Sequence, residues 1–355
     1  MPRSSPALAN TRQTIGAHAS DIFLHGVRKV ALACSLVAAV SCSATSRLVP
    51  AGDFSLKLGA KHPLVGQVIQ GPTRAAVSSE VLLQAAAHAR YIVLGETHDN
   101  PDHHQLQAQL LEHFLRSQPS AAVAFEMLDE ADASSLAQPA ETAEQLAERV
   151  DWAHSGWPDF ALYKPVFEVA IAAHAQLIAA HPSSEHVRAS MQGVDDGEAR
   201  DLAIDTPLPE QQVKAQYEEI RESHCGHANE PMLVAMQRAQ VYKDAFMARA
   251  LQRTGAPTAL VAGRGHARND RAVPYFLRRT HAGPTLSVAF IEVSDQLLEA
   301  AAYDTEAFDY VVFTPRVSDA DPCEEFRKQL EQMRQHPRTA DASADNSSAS
   351  SDGTR

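Results

Sequence analysis

Apolar residues along this chain fall into two patterns. Short, nearly continuous apolar runs stand at 91–95 (YIVLG), 121–126 (AAVAFE), 257–263 (PTALVAG), 286–293 (LSVAFIEV) and 308–313 (FDYVVF). Runs of that length without alternation predict strands covered on both faces. A further strand is read at 176–180 (QLIAA), and a small β-element at 63–70 (PLVGQVIQ), which Gly-Pro follows. Between these runs the spacing turns helical. Asn100 and Pro101 supply an N-cap and a first-turn proline, and Leu106, Leu110, Leu111, Phe114 and Leu115 fall on one helical face. Helices are also read at 79–88 and 165–173. Two longer helical stretches, about 129–150 and 207–254, lie between strands and predict a cap over the sheet edge. Strands alternating with helices predict the α/β class: a mostly parallel sheet flanked by helices, with an inserted helical cap.

The ends of the chain have a different character. The apolar run 30–40 (VALACSLVAAV) is preceded by HGVRK and followed by Ser41 and Cys42. A basic flank, a short apolar core and small residues form the pattern of an export signal, and the run is too short to span a membrane comfortably. A cysteine directly after small residues predicts a lipobox, with Cys42 as the lipidated first residue of the mature chain. Ala39 stands where a lipobox usually has leucine, so a plain secretory signal is the alternative. Val27 begins a better-proportioned signal than Met1. Residues 43–62 read as a tether and 63–336 as one domain. From Pro337 the chain is rich in Ser, Ala and Asp, with too few large apolar groups to order itself.

Composition narrows the function classes. The chain has 355 residues, 45% hydrophobic and 21% charged, which excludes wholesale disorder and a polytopic membrane protein. Lys and Arg number 31 against 44 Asp and Glu, so no general basic footprint for nucleic acid exists. Processing at Cys42 removes four positive charges and one negative, leaving 27 against 43 and a net charge of −16. It also removes Cys34 and Cys42 from the cysteine count. Cys225 and Cys323 remain, a disulfide candidate in an oxidising compartment, or else two unpaired thiols.

Candidate chemistry gathers at three predicted strand ends: GETHDNPDHH at 95–104, FEM at 125–127 and GRGHAR at 263–268. In an open α/β sheet, ligands bind where strands end and loops begin. A carboxylate beside a histidine orients the imidazole and raises its basicity. Glu96, His98, Glu126 and His266 are therefore expected in one cleft, able to activate water, hold a metal or grip a ligand carboxylate. His103 and His104 are read as solvated first-turn residues. Signatures of zincins, serine hydrolases, P-loop NTPases and CxxC redox proteins are absent.

These motifs, with GRGHARNDRAVP at 263–274, FDYVVFTPR at 308–316 and DPCEEF at 321–326, resemble the ChaN-like haem-binding uptake family of the Tiki/erythromycin-esterase superfamily, over roughly 60–328. The resemblance implies an α/β sheet with a helical cap, and a lipoprotein of the bacterial cell envelope that faces the periplasm or the outside. It implies a homodimer holding haem face to face for iron uptake, with a tyrosine on the iron. Tyr163 is the first ligand candidate, with Tyr242 and Tyr217 as alternatives. His104 and Arg264 are expected to meet the propionates. Met232, Met236 and Met247 are read as haem-face or helical-core residues. The superfamily also implies an alternative: a hydrolase of an ester, lactone or peptide bond. There His98 or His266 is the general base, and Glu96 and Glu126 orient it or join the two histidines around Zn²⁺ or Mn²⁺.

Overall fold

A computed structural model describes Leu48 and residues 54–331, apart from 194–196, 198, 322, 325, 329 and 330. The lipidation candidate Cys42, the export signal and the polar tail lie outside the described residues. The described residues form one compact unit. No helix among the described residues is long and apolar enough to cross a membrane.

One eight-stranded sheet organises the fold. Its strands are β1 (Val68–Gln70), β2 (Ala75–Val77), β3 (Tyr91–Glu96), β4 (Ala122–Asp129), β5 (Gln176–His181), β6 (Thr258–Gly263), β7 (Thr285–Glu292) and β8 (Tyr310–Thr314). Their order across the sheet is β2-β1-β8-β7-β3-β6-β4-β5. The six strands from β8 to β5 run parallel, and β1 and β2 close one edge antiparallel. The mostly parallel α/β prediction is the observed architecture. Residues of β3 and β6 are buried throughout, as expected of strands covered on both faces.

Helices α1 (Ser79–His88), α2 (Pro101–Ser117), α3 (Ala133–Leu136), α4 (Ala143–Arg149), α5 (Phe160–Ala172), α6 (Ser184–Gln192), α7 (Glu210–Ser223), α8 (Glu230–Arg253) and α9 (Val273–Arg279) flank and cap the sheet. Helix α2 begins as predicted: Asn100 accepts from the N–H groups of Asp102 and His103, and Pro101 takes the first position. Its Leu106, Leu110, Leu111, Phe114 and Leu115 are all buried. The stretch 207–254 divides into α7 and α8. The stretch 129–150 is not one helix. β4 continues to Asp129, and a 3-10 turn, α3 and α4 share the rest. Helix α6, which helps wall the cavity described below, falls in a stretch without a clear apolar stripe.

Candidate functional site

Strand order brings the three motifs together. β6 lies between β3 and β4, so the strand ends at Glu96, Gly263 and Glu126 are neighbours. The turn after β6, Arg264–Ala267, is pressed onto β3. A Cβ on Gly95 would lie 2.9 Å from Arg264 Cα and 2.7 Å from Ala267 Cβ. Glycine at 95 thus permits the close approach that delivers His266 to the cleft.

Two histidine–carboxylate groups result. In the first, Glu96 Oε1 lies 3.0 Å from His98 Nδ1 and accepts a hydrogen bond from the Tyr163 hydroxyl, also at 3.0 Å. Burial would raise the Glu96 carboxyl, but the adjacent His104 and His98 outweigh it and hold the group below its ordinary value. The opposing pull of burial on His98 is likewise overcome, by Glu96 and Glu126, and His98 is raised. His98 is the accessible member, with 36% of its side chain exposed and its ring edge-on to Trp157.

In the second group, His266 is held between two carboxylates. Its Nε2 lies 3.1 Å from Glu126 Oε1 and its Nδ1 2.7 Å from Asp244 Oδ1. Glu126 Oε2 accepts from the Gly263 N–H at 2.7 Å. Burial disfavours the imidazolium, but Glu126 and Asp244 together push His266 up to about 10. Glu126 is held well below the usual carboxylate range: burial opposes this, but the charge of His266 outweighs it. Asp244 rises to about 6, mainly through burial. Asp244 sits on α8, a cap helix, with no motif around it to single it out. The sequence signal that could have found it is the one acid in the stretch YKDAFMARAL at 242–251, whose Ala, Phe, Met and Leu residues form the buried face of a helix.

The GETHDNPDHH motif divides into two jobs. Glu96, Thr97 and His98 line the cleft. Asn100, Asp102, His103 and His104 are scaffold. Asp102 accepts from Ser55 and Leu56 N–H groups, tying the N-terminal segment to α2. His103 and His104 are fully buried, not solvated as expected. His103 Nδ1 accepts from the Thr97 N–H at 2.9 Å, so Nε2 carries the proton toward Thr314 Oγ1. Burial keeps His103 neutral, well below the ordinary histidine value. His104 reaches the His98 carbonyl, Gln107 and, at 3.1 Å, the Glu96 carboxylate.

The candidate iron ligands are placed unequally. Tyr163 is fully buried. Burial and the neighbouring Glu96 charge raise its phenol, so it is held as a neutral donor, not as a tyrosinate. Tyr242 is also buried, beside His186 and Phe246. Tyr217, half-buried on α7, is the candidate of the three whose ring reaches the surface. Met236 lines the cleft, Met232 is exposed, and Met247 is packed in the core.

The cleft itself is a cavity of about 610 Å³. Glu96, His98, Asp244, Gly263 and His266 form its polar floor. Val187, Met191, Ile220 and Met236 from α6, α7 and α8 form an apolar wall, and Lys243, Arg264 and Arg271 add positive charge. That volume and mixed lining fit a cofactor-sized amphiphile carrying acidic groups. No tyrosine lines it, although Tyr217 adjoins the lining residue Gln216. No group of three or more His, Cys, Asp or Glu among the described residues is arranged to hold a metal ion. The floor accounts for this: both His266 nitrogens and His98 Nδ1 already face carboxylates. The wall is tied behind by a disulfide between Cys225, at the end of α7, and Cys323.

A solved structure shares this architecture. The ChaN of Campylobacter jejuni, which binds haem cofacially, superposes with a TM-score of 0.57 at 22% identity, over 69% of this chain and 95% of that one. The type III effector HopBA1 aligns at 13% identity over 72% of this chain and 99% of its own, with a TM-score of 0.38. An erythromycin esterase in its open conformation aligns at 12% identity over 64% and 77%, with a TM-score of 0.36. No curated protein matches the sequence. The family model described as "Haem-binding uptake, Tiki superfamily, ChaN" matches residues 82–277, which include all three strand-end motifs. The chain therefore belongs to the ChaN family of haem-binding uptake proteins in the Tiki superfamily.

Proposed function

We propose that this chain binds haem for iron uptake, as an exported and lipid-anchored homodimer of the bacterial cell envelope. The observation that carries the reading is the cavity of about 610 Å³, whose lining combines apolar side chains of α6, α7 and α8 with Lys243, Arg264 and Arg271. Haem has a large apolar face and two acidic side chains at one edge, and needs both kinds of wall. An anionic phenolate oxygen suits ferric iron, and one of Tyr163, Tyr242 and Tyr217 is proposed to supply it. Family membership supports the ligand, and the signal-like segment ending at Cys42 supports export and anchoring. Haemin added to the purified full chain should give a saturable absorbance change. Absence of saturation at micromolar haemin would overturn the reading. Mass analysis of the chain from cells should find a mature form beginning at an acylated Cys42. An unprocessed chain would refute the anchor.

A second reading is favoured by the two histidine–carboxylate groups, which exceed what a binding pocket needs. In it the chain hydrolyses an ester, lactone or peptide bond. His98, oriented by Glu96 and open to the cavity, takes the proton from water. A panel of activated esters and peptides should be turned over by the wild type and not by His98→Asn. Equal turnover by both proteins would remove this reading.

A further inference from the structure

Helix α7 stands between two cavities. Its residues Gln216, Glu219, Ile220, Ser223 and His224 line the main one, at the spacing of a single helical face. Ala215, Glu218, Glu219 and Glu222 line an adjoining cavity of about 540 Å³. Arg264, Gly265 and Arg271 belong to both, so α7 is a partition across a shared space.

Little apolar packing holds this partition in place. Its one buried residue is Gln216, and of its apolar side chains Val213 is packed against the core. Its neighbour α8 buries Tyr242, Phe246, Met247 and Leu251. Most helices in proteins stay docked by burying an apolar face, and α7 has almost none to bury. Two polar ties lead outward from it among the described residues. Gln237 donates to Gln216 at 3.1 Å, and Arg271 pairs at 2.5 Å with a half-exposed Glu219. An ion pair with one partner half in water contributes little.

The remaining tie is covalent. Cys225 follows the last turn of α7 and is bonded to Cys323. Just beyond that bond the Phe326 ring lies 6.0 Å from the ring of His224 and 5.9 Å from that of His227. The C-terminal segment is thereby fastened across the turn between α7 and α8. Cys225 itself has a φ of 53°. A residue with a Cβ stays in that region only where its surroundings fix it.

We infer that the Cys225–Cys323 disulfide is a redox-controlled strap that keeps α7 closed over the cavity. A dithiol reductant releases it. One thiolate of the reductant attacks a sulfur of the bond, and its second thiolate resolves the mixed disulfide. The reductant leaves as a cyclic disulfide, and two electrons and two protons have passed to the two cysteines. With the strap released, α7 moves off α8, the two cavities join, and a bound ligand exchanges with solvent. In the oxidised chain the cavity retains what it holds. The device acts on any ligand of the cavity and does not rest on the haem reading.

Two measurements on the full chain test it. In the first, hydrogen exchange is followed by mass spectrometry with and without excess dithiothreitol. Exchange within α7 should speed up at least about tenfold on reduction, while α2 and β3 keep their protection and so report an intact fold. Unchanged exchange in α7, or an equal rise throughout the chain, overturns the strap. In the second, dilute hydrogen peroxide is applied to wild type and to the double variant Cys225→Ser/Cys323→Ser, and methionine oxidation is read residue by residue. Met191 and Met236 line the cavity, Met232 is exposed and Met247 is fully buried. Oxidation follows exposure, so Met191 and Met236 should react several times faster in the variant, with Met232 and Met247 unchanged. Equal rates at Met191 and Met236 in the two proteins overturn the closure of α7 over the cavity. A rise that includes Met247 overturns it as well, because the chain then opens as a whole.

Discussion

Asp244 and His266 meet at 2.7 Å on the side of the imidazole opposite Glu126, so that a buried cation is held between two acids. That relationship separates the two histidines of the cleft. His266 keeps its proton at any physiological pH and is not a base. His98 has one nitrogen on Glu96 and remains reachable from the cavity. The expectation that either histidine could take a proton from water therefore narrows to His98.

Stability should respond to pH through His266. Its folded value of about 10 lies above its unfolded value of about 6.5. The stabilisation is complete below pH ~6.5 and is lost as pH rises toward 10. Asp244 acts in the opposite sense to an ordinary paired acid. Its rise to about 6 means that its ionisation costs stability between the unfolded value of ~3.8 and pH 6, and that cost is constant above. Thermal unfolding between pH 6.5 and 10 should show a falling midpoint in wild type and a flatter profile in His266→Gln. Parallel profiles would contradict the assignment.

Glu126→Gln should be costly for the fold. It removes one acid from the His266 sandwich and leaves the Gly263 N–H with a neutral acceptor. Breaking a buried ion pair costs about 3–5 kcal/mol. The proton on His266 should also titrate at lower pH, which nitrogen-15 spectra of the ring would report. A loss below about 1 kcal/mol in denaturant unfolding would show that the pair is not buried as described.

Gly95 and Gly263 should differ under substitution by alanine. At Gly95 the added methyl meets Arg264 Cα, which is backbone, so the turn must leave β3. At Gly263 it would lie 2.8 Å from His98 Nε2, a side chain able to swing aside. Gly95→Ala should therefore unfold the protein or cost more than the ~1–3 kcal/mol typical of overpacking. Gly263→Ala should fold with a displaced His98 and an altered His98 titration. Equal stability losses would contradict the packing.

These residues mark how far the sequence alone is legible. Strands β3, β4, β6, β7 and β8 are readable because a strand buried on both faces leaves an unbroken apolar run. The cleft is readable because a carboxylate or histidine at the end of a buried strand must find a partner or a ligand. Asp244 is not, because its partner is 22 residues away in sequence and only the docking of α8 brings them together. His104 looks solvated in sequence because its neighbours Asp102 and His103 make the first turn of α2 hydrophilic, while in the fold it meets Glu96, Gln107 and Tyr163 and is buried. Tyr163 misleads in the same way: the segment WPDFALYKP gives no sign that the phenol turns inward onto Glu96.

The Cys225–Cys323 disulfide closes a loop with a sequence separation of 98. Constraint of the unfolded chain over such a length is worth about 2–4 kcal/mol. Cys225→Ser should lower stability by about that amount in oxidising buffer and match wild type in excess dithiothreitol. A difference that persists in reductant would place the effect in local packing instead.

The central claim is haem binding with a tyrosine on the iron. Its most direct test is a haemin titration of wild type, Tyr163→Phe, Tyr242→Phe and Tyr217→Phe, followed by absorbance. The account predicts a saturable high-spin tyrosinate-type spectrum in wild type that is lost in one of the three variants. A spectrum that survives in all three variants, or no saturable binding at micromolar haemin in wild type, would contradict it.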